Sequence, residues 1–279
     1  MRVVLAKSLL AVAVALSAAI APTSAGGKAS TAALVGLDVS YPQCYKSLPS
    51  GEAFAVVGIN DGLANTTNPC LTKQLAWAAG SSGKSNQPKI QLYVNTANPG
   101  GLNTPSWPKD NNDPTGNTTD NPYGTCDGSD SLACSYQYGW NRANEDGNDR
   151  LAPAASAAGL PTSASNYKWW LDVETVNSWE TGDANAQAKN SADLEGMTAY
   201  LKGQGAEVGL YSTSAQWAEV AGRVDPTSNL TGLTNWRPGA KSVNTAKSNC
   251  SLAPLTAGGK VTLTQYQSGN LDYDYSCIN

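Results

Sequence analysis

The sequence predicts an α/β chain folded as a (β/α) TIM-like barrel in a single domain, with a long disulfide-stapled loop insertion after the third strand. Three observations predict it. Short apolar runs alternate with stretches of helical spacing, as in βαβ units. The runs are apolar throughout and several close on an acid, as strands covered on both faces do. Once an N-terminal leader is set aside, about 250 residues remain, the usual size of a one-domain barrel.

The leader comes first. Arg2 and Lys7 precede an apolar run over 9–16, and small residues follow to Thr23-Ser24-Ala25. That is the pattern of a secretory signal peptide, here 1–25, with 26–279 as the barrel domain. The run is shorter than the ~20 apolar residues a spanning helix needs. The expected product is secreted and extracellular, with no membrane association after cleavage, and is a monomer. The formal charge is -4, and losing Arg2 and Lys7 takes it to -6. A weakly acidic surface gives nucleic acid no electrostatic purchase.

Residues 34–39 (LVGLDV) read as the first strand, 54–59 (FAVVGI) as the second and 89–94 (KIQLYV) as the third, with a helix over 70–79 between the last two. From 96 to about 135 Asn, Asp, Gly, Thr and Pro dominate. A loop of that length is uncommon unless it is functional or disordered. Its acids lack the ordered spacing of a calcium loop. A helix is expected over 136–158, a strand over 169–173 (WWLDV), a helix over 184–202, a strand over 207–211 (EVGLY) and a short helix over 215–220. Weaker strands follow at 233–236 and 261–266, and an eighth is expected in the low-contrast segment after Trp236.

Six cysteines, Cys44, Cys70, Cys126, Cys134, Cys250 and Cys277, form an even set in an exported chain, so disulfides are the first reading. Fifteen pairings are possible. Neighbour pairing, Cys44 with Cys70, Cys126 with Cys134 and Cys250 with Cys277, would close loops on one side of the barrel. No pair has the CxxC spacing of a zinc or redox site, and the chain contains no histidine. Ser-His-Asp triads, Cys-His pairs and His-based metal centres are therefore excluded. No metal and no cofactor is implied. The N-x-S/T sequences at Asn65, Asn117, Asn229 and Asn249 are expected by chance in an Asn- and Thr-rich chain.

Four acidic positions stand where apolar runs give way to loops: Asp38 (GLDVS), Asp172 and Glu174 (WWLDVE), and Asp272 (GNLDYDYS). The carboxyl ends of parallel barrel strands open on one face, so these acids are expected to converge there. Residues two apart on a strand point the same way, so Asp172 and Glu174 project together with Cα atoms ~6.5–7 Å apart. Neighbouring carboxyls do not ionise independently, and one tends to keep its proton. A retained proton beside a carboxylate is the combination glycoside hydrolysis uses. Tyr93, Tyr211, Trp236 and Tyr266 fall near other strand ends, and Trp169, Trp170 and Trp179 flank the pair. Aromatic faces of this kind suit sugar rings, with about half of them expected in a cleft.

Taken in order, GLDVS, WWLDVE, EVGLYSTSAQW and LTQYQSGNLDYDYS resemble segments of the family 25 glycoside hydrolases, the muramidases, across almost the whole mature chain. The chain also resembles the family 25-like barrels carried by exported bacterial proteins. It departs from the hydrolases at GINDG, which lacks a basic residue common there, at LYVNT, where Tyr-His is frequent, and in its insertion. The resemblance implies Glu174 as proton donor to the glycosidic oxygen. It implies Asp172 as the partner carboxylate, assisting attack by the substrate's own N-acetyl group. Asp38 and Asp272 would line the subsite and Tyr211 would support its floor. Tyr93 and Trp236 complete the expected substrate-binding set. The implied activity is cleavage of the β-1,4 bond beside N-acetylmuramic acid in a peptidoglycan-type glycan. The competing readings are a barrel of the same shape that binds wall glycan without cutting it, and a wall-associated structural or partner-binding protein.

Overall fold

The apolar runs become the strands of a closed eight-stranded barrel. The computed structural model describes residues 34–101 and 104–278, and the expected leader at 1–25 lies outside them. In chain order β1 (Val35–Val39), β2 (Ala55–Gly58), β3 (Ile90–Asn95), β4 (Lys168–Asp172), β5 (Glu207–Tyr211), β6 (Thr234–Ala240), β7 (Lys260–Ser268) and β8 (Leu271–Ser276) lie side by side, and β8 closes on β1. Neighbours from β1 to β7 pair parallel. β8 runs antiparallel to both β7 and β1.

The barrel therefore departs from the all-parallel TIM type expected of the sequence. The cause is local. Gly269 has a φ of 63°, and with Asn270 it forms a two-residue connection that sends the chain straight back along β7. The low-contrast segment after Trp236 holds no eighth strand. β6 continues through irregular pairing to Ala240, and α6 (Val243–Asn249) follows.

Helices α1 (Leu71–Ala78), α2 (Leu132–Glu145), α3 (Ala152–Ala157), α4 (Ala184–Gly203) and α5 (Ser214–Val220) complete the outer layer. Alternation along each strand divides the apolar residues into two cores. Leu37, Val57, Leu92, Leu171 and Leu210 face outward and pack under the helices with Leu75, Leu194 and Met197. Phe54, Val56, Trp170, Trp236 and Leu263 form the second cluster. Large rings fit inside because glycines face them: a Cβ on Gly209 would stand 2.3 Å from the Trp170 ring, and one on Gly36 2.3 Å from Phe54.

The expected helix over 136–158 is broken into α2, a wide turn of π-helix over Asp146–Leu151, and α3. Pro153 in the first turn of α3 has no N–H to return to residue 149, so the regular ladder cannot run through. Helix α2 crosses α4 at nearly backbone contact. A Cβ on Gly139 would meet the Asp193 carbonyl oxygen at 1.9 Å, and one on Gly196 the Tyr136 carbonyl oxygen at 2.0 Å.

The insertion between β3 and α2 is ordered by its own polar residues. Asp110, Asp113, Asn121 and Asp127 each accept a hydrogen bond from a backbone N–H two residues ahead. The Asp and Asn density thus serves local turns. Trp107 stacks on Tyr138 at 5.5 Å, and the Cys126–Cys134 disulfide fixes the loop's end to α2.

The other disulfides are Cys44–Cys70 and Cys250–Cys277, so neighbouring cysteines pair throughout. They do not all lie on one side. The reversed β8 carries Cys277 to the amino-terminal end of β7, where its N–H bonds the Thr262 carbonyl, at the end of the barrel opposite Asp38. Among the described residues no helix is long and apolar enough to cross a membrane.

Candidate active site

A cleft of about 320 Å³ opens at the carboxyl ends of the parallel strands, and all seven residues picked out for catalysis or substrate binding line it: Asp38, Tyr93, Asp172, Glu174, Tyr211, Trp236 and Asp272. Asp38, Tyr93 and Tyr211 reach it from β1, β3 and β5. Asp172 is the last residue of β4, and Glu174 stands just past the strand on the same face. Asp272 arrives differently from expectation. It sits near the start of β8, opposite Asp38, and reaches the cleft because that strand runs backwards.

The segment carrying the pair is fixed at each carbonyl. The Asp172 carbonyl accepts from the Thr96 hydroxyl at 2.6 Å, that of Val173 from the Ser212 hydroxyl at 2.7 Å, and that of Glu174 from the Trp179 indole at 2.9 Å. Trp179 is thus a support behind Glu174 and no cleft wall. Trp169 points outward into the helix layer and Tyr266 stacks on Tyr273. Trp236 makes edge contacts with Tyr211 at 4.4 Å and Tyr93 at 6.2 Å, and these rings form the floor. Only 2% of Trp236 is exposed, so it shapes the cleft and offers little face to a ligand. The exposed aromatic is Tyr41 on the rim, lying over Gly62.

Three further residues belong to the site. Gln265 donates to Asp38 at 3.0 Å and accepts from the Tyr211 hydroxyl at 2.9 Å. Asn95 donates to Asp172 Oδ2 at 3.2 Å. Asp274 lies fully buried against Asp38, one inward position below Asp272. Its Asp-x-Asp spacing with Asp272 was the signal that could have found it. The glutamine and asparagine carried no apolar-to-acid contrast to mark them.

No lysine or arginine is among the lining residues, so the carboxyls press on one another. Burial, reinforced by Asp272, pushes Asp38 up to about 8. Burial raises Asp172 well above the carboxylate range, with Glu174 and Asp38 adding to it. Burial also raises Glu174, while the Gln216 amide holds it down. Asp274 is raised well above its ordinary value by burial and by Asp38. Asp272 is raised by burial and eased by Gln267 and Lys46. Among the described residues no group of three or more acids and cysteines is arranged to hold a metal ion. The raised carboxyls can hold protons inside a polar, aromatic-floored cleft, and Glu174 is the less covered acid of the Asp172–Glu174 pair.

The chain is similar to two solved lysozyme-type structures. One is the bacterial lysozyme from Streptomyces coelicolor, with a TM-score of 0.46 and 14% identity over 88% of this chain and 93% of that one. The other is the muramidase from Trichobolus zukalii, with a TM-score of 0.45 and 14% identity over 87% of this chain and 93% of that one. No family model and no curated protein matches the sequence.

Proposed function

We propose that the protein, secreted as a mature barrel domain from residue 26, is a glycoside hydrolase that cuts the β-1,4 bond beside N-acetylmuramic acid in peptidoglycan-type glycan. The observation that carries the proposal is the convergence of Asp172 and Glu174, from one strand end, on a cleft that contains other carboxyls and no basic side chain. Glu174 protonates the glycosidic oxygen, and Asp172 is the carboxylate beside the anomeric centre.

Proton placement follows from burial. Asp172 is the more deeply covered acid, so in the free protein the pair keeps its proton there. A bound N-acetyl sugar whose amide N–H donates to Asp172 favours the ionised form of that residue. The proton then resides on Glu174, where departure of the glycosidic oxygen requires it, and the acetamido oxygen is oriented for attack on the anomeric carbon. Asp38 and Asp272 hold the sugar's hydroxyls, Tyr93, Tyr211 and Trp236 shape the floor, and Tyr41 supplies a stacking face at the rim.

The test is release of reducing ends from purified bacterial peptidoglycan, run beside Glu174→Gln. General acid catalysis is worth about 10²–10⁴-fold, and a loss of that size in a folded variant supports the assignment. Binding of wall glycan without release by the unaltered protein overturns hydrolysis and leaves a glycan-binding barrel.

A further inference from the structure

Behind Asp172 runs a chain of buried polar contacts. Asn95 donates its side-chain amide to Asp172 Oδ2 at 3.2 Å, while Asp172 Oδ1 has no hydrogen-bond partner among the described residues. The backbone N–H of Asn95 donates to Asn60 Oδ1 at 2.8 Å. Asn60 donates in turn to Asp146 Oδ1 at 3.0 Å, and also to the Thr66 carbonyl. Asp146 is wholly buried in the π-helical turn and is paired there with Arg150 at 2.7 Å. Arg150 also reaches Glu145 at 3.1 Å, and Glu145 pairs with Arg142 at 2.5 Å. The chain joins β4, β3, the loop after β2 and the helix layer, and it ends on two buried arginines.

We infer that Asn60 and Asp146 are positioning residues for Asp172, holding Asn95 so that its amide ties down Oδ2 and fixes the rotation of the carboxyl, whose Oδ1 is buried without a partner among the described residues. The π-helical turn has a use in this scheme. It carries both Asp146, which bonds Asn60, and Arg150, which pairs with Asp146. Asn60 has little freedom to serve otherwise, because its amide nitrogen is shared among Asp146 and the Ala64 and Thr66 carbonyls and its oxygen is occupied by β3. Asp146 is joined to Asp172 through the Asn60 and Asn95 amides, so a change at Asp146 is passed along those bonds.

The inference rests on the placement of Asp172 in the reactive pair, and its test reads that carboxyl directly. The charged and titratable groups facing Asp172 are Glu174, Asp38, Tyr93 and Tyr211. In ¹³C-labelled full-length protein the Asp172 carboxyl signal is assigned by its absence in Asp172→Asn and titrated by NMR. Loss of a hydrogen bond to the ionised form raises a carboxyl pKa, so Asn95→Ala should move the Asp172 midpoint up by about one pH unit. Asp146→Asn should move it the same way by less, with Asp272 unmoved. Asn60→Ser is the second relay variant should Asp146→Asn not fold, with the same expected direction. Relay variants that lose melting temperature while the Asp172 midpoint stays put overturn the inference, since a structural role alone would give that result. A protein that shows the shifts and cuts no glycan refutes the proposed hydrolysis and leaves the relay standing.

Discussion

In Gly196→Ala the new methyl group would stand 2.0 Å from the carbonyl oxygen of Tyr136, where ordinary contact begins at 3.4 Å. The obstacle is backbone on a second helix, so no rotamer relieves it, and α2 and α4 would have to part by about 1.4 Å. Overpacking usually costs about 1–3 kcal/mol, and here, where backbone must move, about 3–4 kcal/mol, against roughly 1 kcal/mol gained from helix propensity. The net expectation is a loss of about 2–3 kcal/mol, which in a barrel of this size lowers the melting temperature by about 5–10 °C. Gly203, in the last turn of the same helix, has nothing within 4 Å of its Cβ position. Gly203→Ala should therefore raise the melting temperature by about 1–3 °C. Scanning calorimetry of the two variants side by side is the assay. If both shifted upward, the helices would not cross where described, and the account of how Asp146 and the insertion are held would go with them.

Asp38 keeps its proton up to about 8 in the folded protein, against 3.8 for the free side chain. The unfolded chain therefore ionises first, and stability falls as pH rises from about 4 to 8. Asp38→Asn should match the unaltered protein at pH 4 and exceed it by several kcal/mol near pH 8, read from denaturant midpoints; a constant gap across that range would refute the burial argument. Hydrolysis should follow a bell on the acidic side of neutral, its upper limb set by proton loss from the Asp172–Glu174 pair, whose members are both raised. A flat profile would count against the paired acids. Thiol titration of denatured, unreduced protein should find almost none. Replacing Cys250 and Cys277 by serine opens a closure of 27 residues and should cost about 3–4 kcal/mol without altering glycan binding. Replacing Cys44 and Cys70, beside the first strand's cleft end, should lower both stability and binding.

The barrel was legible in the sequence wherever a strand is apolar on both sides and stops at an acid, as in LVGLDV and WWLDV. β8 breaks that rule. Its inward residues are Asp272 and Asp274 and its other face carries Tyr273 and Tyr275, so LDYDYS reads as a solvated edge although it closes the barrel. The Gly269-Asn270 pair was the signal for its hairpin. Glu174, Asp172, Asp38 and Asp272 could be found because carboxyls after apolar runs are seldom there for packing. Asn60, Asn95 and Gln265 could not, because an amide in a loop or strand end looks the same whether it faces water or holds a buried acid. The break in the helix over 136–158 was written in Pro153, which the apolar periodicity around it masked.

The return of β8 has a practical outcome for handling the molecule. β1 starts and β8 finishes at the base of the barrel, where Val35 lies beside Tyr275, while the cleft opens at the other rim. A tag, a fluorescent fusion or a tether to a bead attached beside Val35 or Tyr275 would leave from the face turned away from the cleft. Protein immobilised in that way should present every cleft outward, so surface-plasmon binding to soluble glycan fragments can be measured on oriented molecules with no linker to clear the site.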